Sequence, residues 1–198
     1  MWTPAGTDCG RAHIVGALMN DFNLIYTRDA QGKLAQFKPI HAAMEHKKSV
    51  EFLRRELERR RPVYGRRSAV PCVVMTHHAP SFKSDNEKRS KDDYGYGSVK
   101  EGWCADVEYL MKDNPHLVRW IHGHTHRNTT YNVSNTTVSA NCQGYPGKES
   151  VGFKPISLQF DLDDVKERAF QFIKEERRIR REKESKSKTE NDGKVELE

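Results

Sequence analysis

Nine histidines occur in 198 residues, and five of them fall in two short strings, His77-His78 and His122-Gly123-His124-Thr125-His126. Neutral imidazole is a borderline ligand that suits zinc, iron, nickel or manganese. His124 and His126 are two positions apart. On extended backbone such residues project to the same side and can reach one site. Gly123 lets the backbone approach that site without a Cβ. His77 or His78 is placed to join them from a neighbouring strand. His13, His41, His46 and His116 belong to no cluster and carry no predicted function.

Each string needs an element to hold it. Val70 to Thr76 is a β-branched run and predicts a buried strand ending at His77. Leu117 to Ile121 predicts a second buried strand ending at His122. Open α/β sheets place ligands at the carboxyl ends of their strands, where both strings lie. A hairpin is predicted for Thr129 to Val133 and Thr136 to Ala140, turning at Ser134-Asn135. Phe22 to Tyr26 and Ile156 to Phe160 read as further strands, and Asp29 to Gly32 as a turn.

Helical spacing of Met44, Val50, Leu53 and Leu57 predicts a helix over 40–61, closed by Pro62 and Gly65. Val107, Leu110 and Met111 predict another over 103–113. Residues 81–100 read as a long polar loop. Val165, Ala169, Phe172 and Ile173 mark a charged helix over 162–184, and Ser185 to Glu198 read as a disordered tail. The basic cluster of Arg59, Arg60 and Arg61, with Arg66 and Arg67, reads first as a solvated helix end.

Composition narrows the function. The formal net charge is +6, but residues 161–198 hold 11 basic and 12 acidic residues, so the excess lies in the preceding body. That excess is compatible with an anion-binding body, but so modest a basicity is common in proteins that bind no nucleic acid, which is a disfavoured ligand. Cys9, Cys72, Cys104 and Cys142 are too scattered for a paired-thiol zinc site. The longest apolar stretch, near Ile14 to Met19, is far short of the ~20 residues that span a bilayer. No signal-peptide pattern opens the sequence, so the expected compartment is the cytoplasm and the sequons between 128 and 137 read as chance.

Val73-Val74-Met75-Thr76-His77-His78-Ala79-Pro80 and Trp120-Ile121-His122-Gly123-His124-Thr125-His126 resemble the last two metal motifs of the calcineurin-like metallophosphoesterases. Trp2-Thr3, Met19-Asn20-Asp21-Phe22 and Asn141-Cys142-Gln143-Gly144-Tyr145-Pro146-Gly147 resemble blocks of one branch of that family. The resemblance covers roughly residues 1–160; residues 161–198 lie outside it. It implies an α/β fold, a β-sandwich flanked by helices, with the charged helical tail appended. It also implies two divalent metal ions (manganese, iron or zinc). His77 and His124 would share one ion and His126 would hold the other, with His78 the alternative to His77. His122 would act beside the metals, and Asn141 and Tyr145 would line the substrate pocket. The implied reaction is hydrolysis of a phosphomonoester or phosphodiester by metal-activated hydroxide.

Three motifs of the family have no counterpart here: Asp-x-His, Gly-Asp-x-x-Asp and Gly-Asn-His-Glu. Asn20-Asp21 is not followed by histidine. Three histidines without carboxylates carry too little negative charge to hold two divalent ions together. The block order therefore predicts a fold lacking its N-terminal strands, with the other ligands in an N-terminal part that is either missing from this sequence or separately encoded. The alternative is a catalytically inactive binding or regulatory module derived from the same fold. A mononuclear histidine enzyme of different chemistry ranks below both, because no general base accompanies the histidines.

Overall fold

The structure is a computed structural model that describes residues 1–6, 8–61, 71–85, 100–145, 153–154 and 161–195. Pro62, Gly65, Arg66, Arg67, Val70, most of the 81–100 loop, Pro146-Gly147 and the strand expected at Ile156 to Phe160 lie outside the described residues.

Asp8 opens the first helix, α1 (Cys9–Leu18), by accepting a hydrogen bond from the Arg11 amide at 2.9 Å. A four-residue helix follows, α2 (Asp21–Leu24), where the sequence predicts a strand from Phe22. Two observations account for the difference. Asp21 stands in the first turn, where a carboxylate complements the helix dipole. Phe22 is buried against Phe37 and Trp2, at ring separations of 6.1 and 6.4 Å. The strand begins only at Tyr26: β1 (Tyr26–Arg28) pairs antiparallel with β2 (Leu34–Gln36). The expected turn joins them, with the Asp29 carboxylate accepting from the Gln31 and Lys33 amides and Gly32 at φ 77°.

The helix expected over 40–61 is α3 (Pro39–Arg59), with proline in its first turn. Val50, Leu53 and Leu57 face the main core, whereas Met44 is exposed. At its end Arg59 and Arg60 pair with Glu56, and Arg61 with Glu58. These described members of the basic cluster form a solvated, ion-paired helix end.

The main sheet has the order β3-β4-β6-β5: β3 (Cys72–Met75), β4 (Leu117–His122), β5 (Asn128–Val133) and β6 (Thr136–Asn141). Strands β3, β4 and β6 run parallel, and the β5–β6 hairpin turns at Ser134 as expected. Among the described strands β3 lies at the sheet edge rather than fully buried. Val74 faces the core, while Val73 and Met75 are exposed. The helix expected over 103–113 is shorter, α4 (Glu108–Lys112). Residues before it are drawn to Ala79 instead: the Ala79 amide donates to Trp103 O and the Ala105 amide to Ala79 O.

Two apolar clusters result. One packs Trp120, Leu117 and Val138 of the sheet against Leu57, Leu110 and Met111. The other joins α1, α2 and α3 through Val15, Met19, Phe22, Phe37 and Ala42, with Trp2 against it. The fold is thus mixed α/β. The described strands form one four-stranded sheet and a separate hairpin. The last helix, α5 (Leu162–Val195), contacts β4 and buries Ile173. It continues through Ser185, where the sequence predicts disorder. Ion pairs one turn apart support it: Arg178 with Glu175 and Glu182, and Arg180 with Glu184.

Candidate functional site

The histidine strings meet where the two apolar clusters adjoin. Strands β3 and β4 are in register to Met75 and Ile121, and their pairing continues past the strand ends. The Thr76 amide donates to Ile121 O, and the Gly123 amide donates to His77 O, both at 2.9 Å. That second bond brings the two strings side by side.

Three imidazoles pack together there. The His77, His78 and His124 ring centroids are 4.3 to 5.1 Å apart. His77 Nε2 and His124 Nδ1 approach to 2.9 Å. His126 joins from beyond, its ring edge-on to Tyr145 at 4.7 Å. The backbone that achieves this is not extended, as the spacing argument requires. His124 and His126 have φ of 63° and 52°, both in the left-handed region. Histidine enters that region more readily than most residues, but each instance costs about 1–2 kcal/mol. Two such residues in three positions form a tight turn that folds the second string back on the first.

Neighbouring groups fix which nitrogen carries each proton. A carbonyl oxygen can only accept, so His78 Nδ1 must donate to Met1 O, 2.9 Å away. His122 Nδ1 likewise donates to Gly123 O at 3.0 Å. In a neutral ring the other nitrogen is then a bare lone pair. His78 Nε2 and His122 Nε2 are both buried without a hydrogen-bond partner. Burial keeps both rings neutral, pushing the His78 pKa down to about 3 with help from its imidazole neighbours, and lowering that of His122. A backbone carbonyl that orients the ring and leaves a free Nε2 is the usual support of a metal-binding histidine.

Thr76 anchors the base of the site. Its hydroxyl donates to His78 O at 2.7 Å and accepts from the fully buried Trp120 indole at 2.9 Å. Trp2 lies 5.0 Å from the His78 ring and so links the site to Phe22 and α2. The residue ahead of Phe22 is Asp21. Its carboxylate acts on both His77 and His124, favouring their charged forms against the larger effect of burial, which takes His124 down to about 4. In the sequence, Asp21 lies in the Met19-Asn20-Asp21-Phe22 block, which resembles the same family as the histidine strings but assigns it no role.

The remaining expected residues are placed as follows. Tyr145 is exposed beside His126. Both ends of the Asn141 carboxamide are engaged by Lys154, its Nδ2 donating to Lys154 O and its Oδ1 accepting from the Lys154 amide. Asn141 therefore pins the segment beyond β6. All four cysteines are free thiols, and burial pushes Cys104 up to about 12. Among the described residues, no three His, Cys, Asp or Glu side chains stand ready as a metal cage. No described helix is long and apolar enough to cross a membrane.

Among curated proteins, the chain is similar to "Uncharacterized protein L509" of Acanthamoeba polyphaga mimivirus, with 24% identity over 158 residues. The aligned span is 78% of this chain and 51% of the viral protein, so the chain matches about half of its relative's length. No protein-family profile matches the chain, and no solved structure does.

Proposed function

We propose that this chain carries the histidine portion of a metal-dependent phosphoesterase site, built on a metallophosphoesterase-like sandwich and acting on a cytoplasmic phosphate ester. The observation that carries the reading is the convergence of His77 and His124 at the carboxyl ends of adjacent parallel strands, 2.9 Å apart. Two imidazole nitrogens bound to one ion at about 2.0–2.1 Å, at right angles, stand about 3 Å apart. The His78 ring packs against them, its Nε2 buried without a hydrogen-bond partner. His77 and His124 thus offer two donors to one divalent cation, short of a complete cage among the described residues. Among the described residues they do not suit two, which need bridging carboxylate charge.

A bound divalent ion supplies Lewis acidity and a water of lowered pKa. The protein's own groups do the rest. Thr76 and Trp120 hold the β3 end so that both imidazoles stay presented. His126 and the exposed Tyr145 hydroxyl flank the site, where an ester oxygen could accept a hydrogen bond from the phenol. His122 Nε2 is a neutral base held in one tautomer by Gly123 O.

Binding is tested by titrating the purified chain with Mn²⁺ and Zn²⁺ in a calorimeter, and turnover with p-nitrophenyl and bis-p-nitrophenyl phosphate in Mn²⁺. The reading predicts saturable binding and metal-dependent hydrolysis, both lost in His124→Ala. A chain that binds neither metal overturns it. Among the described residues no three-residue cage stands ready, and the second reading is a catalytically inactive binding or regulatory module on the same fold. That module would hold one metal or none and would not turn substrate over.

A further inference from the structure

We propose that Asp85 and Arg127 form a brace that holds the His124–His126 turn against the first histidine string, a positioning pair for this site. The brace serves the site of the reading above and rests on that reading for its purpose, but its geometry is defined without a metal or a substrate.

The second string is anchored at both ends by the segment that carries the first. At its start, the Gly123 amide donates to His77 O at 2.9 Å. Beyond His78 the same segment continues through the short 3₁₀ turn Phe82–Ser84 to Asp85. There Asp85 Oδ1 lies 3.3 Å from Nε of Arg127, the residue that follows His126. A second grip lies beside it, where the Ser84 hydroxyl meets the Tyr131 hydroxyl on β5 at 2.7 Å. The carboxylate is itself held in place. Asp85 is only 5% exposed, and its Oδ2 accepts from the Trp103 indole at 3.0 Å. Lys100 Nζ donates to its main-chain carbonyl at 2.9 Å. Among the described residues Oδ1 takes no aligned hydrogen bond, so the Arg127 charge is what balances it.

Between the two anchors the backbone is strained. The Thr125 amide donates to Gly123 O at 2.7 Å, turning the chain at His124 with φ at 63°. A turn closed over so few residues at positive φ is rare and strained. His126 repeats the positive φ at 52°. Such conformations persist only where the surrounding structure over-determines them. The Gly123 bond fixes the entry to the turn, and the Arg127 ion pair fixes its exit. Relaxing the turn would carry Arg127 off Asp85 and leave a buried carboxylate without its guanidinium, which is costly. That cost keeps His124 against His77 and His126 against Tyr145. Asp85 and Arg127 thus act through the histidines and not on a substrate.

The test reads histidine geometry in the metal-free protein. Nitrogen-15 NMR follows the coupling between His77 Nε2 and His124 Nδ1, with thermal melts alongside. Asp85→Asn and Arg127→Gln should each lose the coupling at temperatures well below their Tm. Arg127→Lys, which keeps the charge, should retain it. Coupling of wild-type strength in both Asp85→Asn and Arg127→Gln overturns the proposal whatever the fall in Tm, since a pair that only stabilises the fold would leave it intact. Absence of the coupling from the wild type also overturns it. Should Asp85→Asn misfold, Arg127→Gln decides, because that side chain is partly exposed. Zn²⁺ titration separates the brace from the metal reading. Roughly tenfold weaker affinity in Arg127→Gln supports both. A wild type that binds no zinc, but whose coupling still depends on Asp85 and Arg127, sinks the metal reading and supports the brace.

Discussion

His77 Nε2 and His124 Nδ1 lie 2.9 Å apart, each delivered by the end of its own strand. Without a cation, one ring must donate a proton to the other. Nitrogen-15 NMR of the metal-free protein should show a neutral His124 coupled to His77 across this bond. Zn²⁺ should abolish the coupling, and His77→Ala should remove it without zinc. Metal affinity is expected to fall by about 1.4 kcal/mol or more with either alanine, at least tenfold.

Acid should destabilise the fold, and the sign can be worked out. The folded-state pKa values of His78 and His124 are about 3 and about 4, against 6.5 in an open chain. Between these limits the unfolded chain binds protons that the folded chain refuses. Stability is therefore complete above about pH 6.5 and falls as the pH drops toward 4. Each such histidine contributes a slope of about 1.4 kcal/mol per pH unit. Thermal melts in chelator at pH 7.5, 6.0 and 5.0 check this, and a Tm flat over that range would count against the buried, neutral rings.

Thr76→Val should damage both stability and binding. The substitution keeps the shape but removes the acceptor for Trp120 Nε1 and the donor to His78 O. A buried donor left unpaired costs about 1–3 kcal/mol. Denaturant melts measure that loss, and Zn²⁺ titration should show weakened affinity. Thr76→Ser, which keeps the hydroxyl, should restore most of both.

Gly102→Ala tests the support of α2. The added methyl meets the Met19 sulfur and, at 3.3 Å, a Val15 methyl. Overpacking of this kind costs about 1–3 kcal/mol. Because Met19 belongs to the apolar cluster that Trp2 joins to His78, metal affinity should fall together with stability. Val107→Ala, in the other apolar cluster, should lower stability alone.

Legibility in the sequence followed the range of the forces involved. Strands β3 and β4, the β5–β6 hairpin and α3 were readable because β-branched runs and helical spacing act over a few residues. The sequence suggests a strand where α2 forms, because Phe22 looks like a strand residue until Trp2 and Phe37 enclose it. The sequence points to a meeting of the histidine strings, but not to its means. The left-handed turn at His124 depends on the Gly123 bond to His77 O, a contact between distant segments.

The α5 helix has a consequence for how the molecule moves. At 1.5 Å per residue its 34 residues extend about 51 Å, while a globular body of ~160 residues has a radius of gyration near 15 Å. From Arg177 to Ser185 every side chain is exposed. Such a rod weights rotation heavily toward one axis. Rotational diffusion measured by NMR relaxation would be markedly anisotropic, and a fluorophore on the rod would depolarise by a different law from one on the sheet.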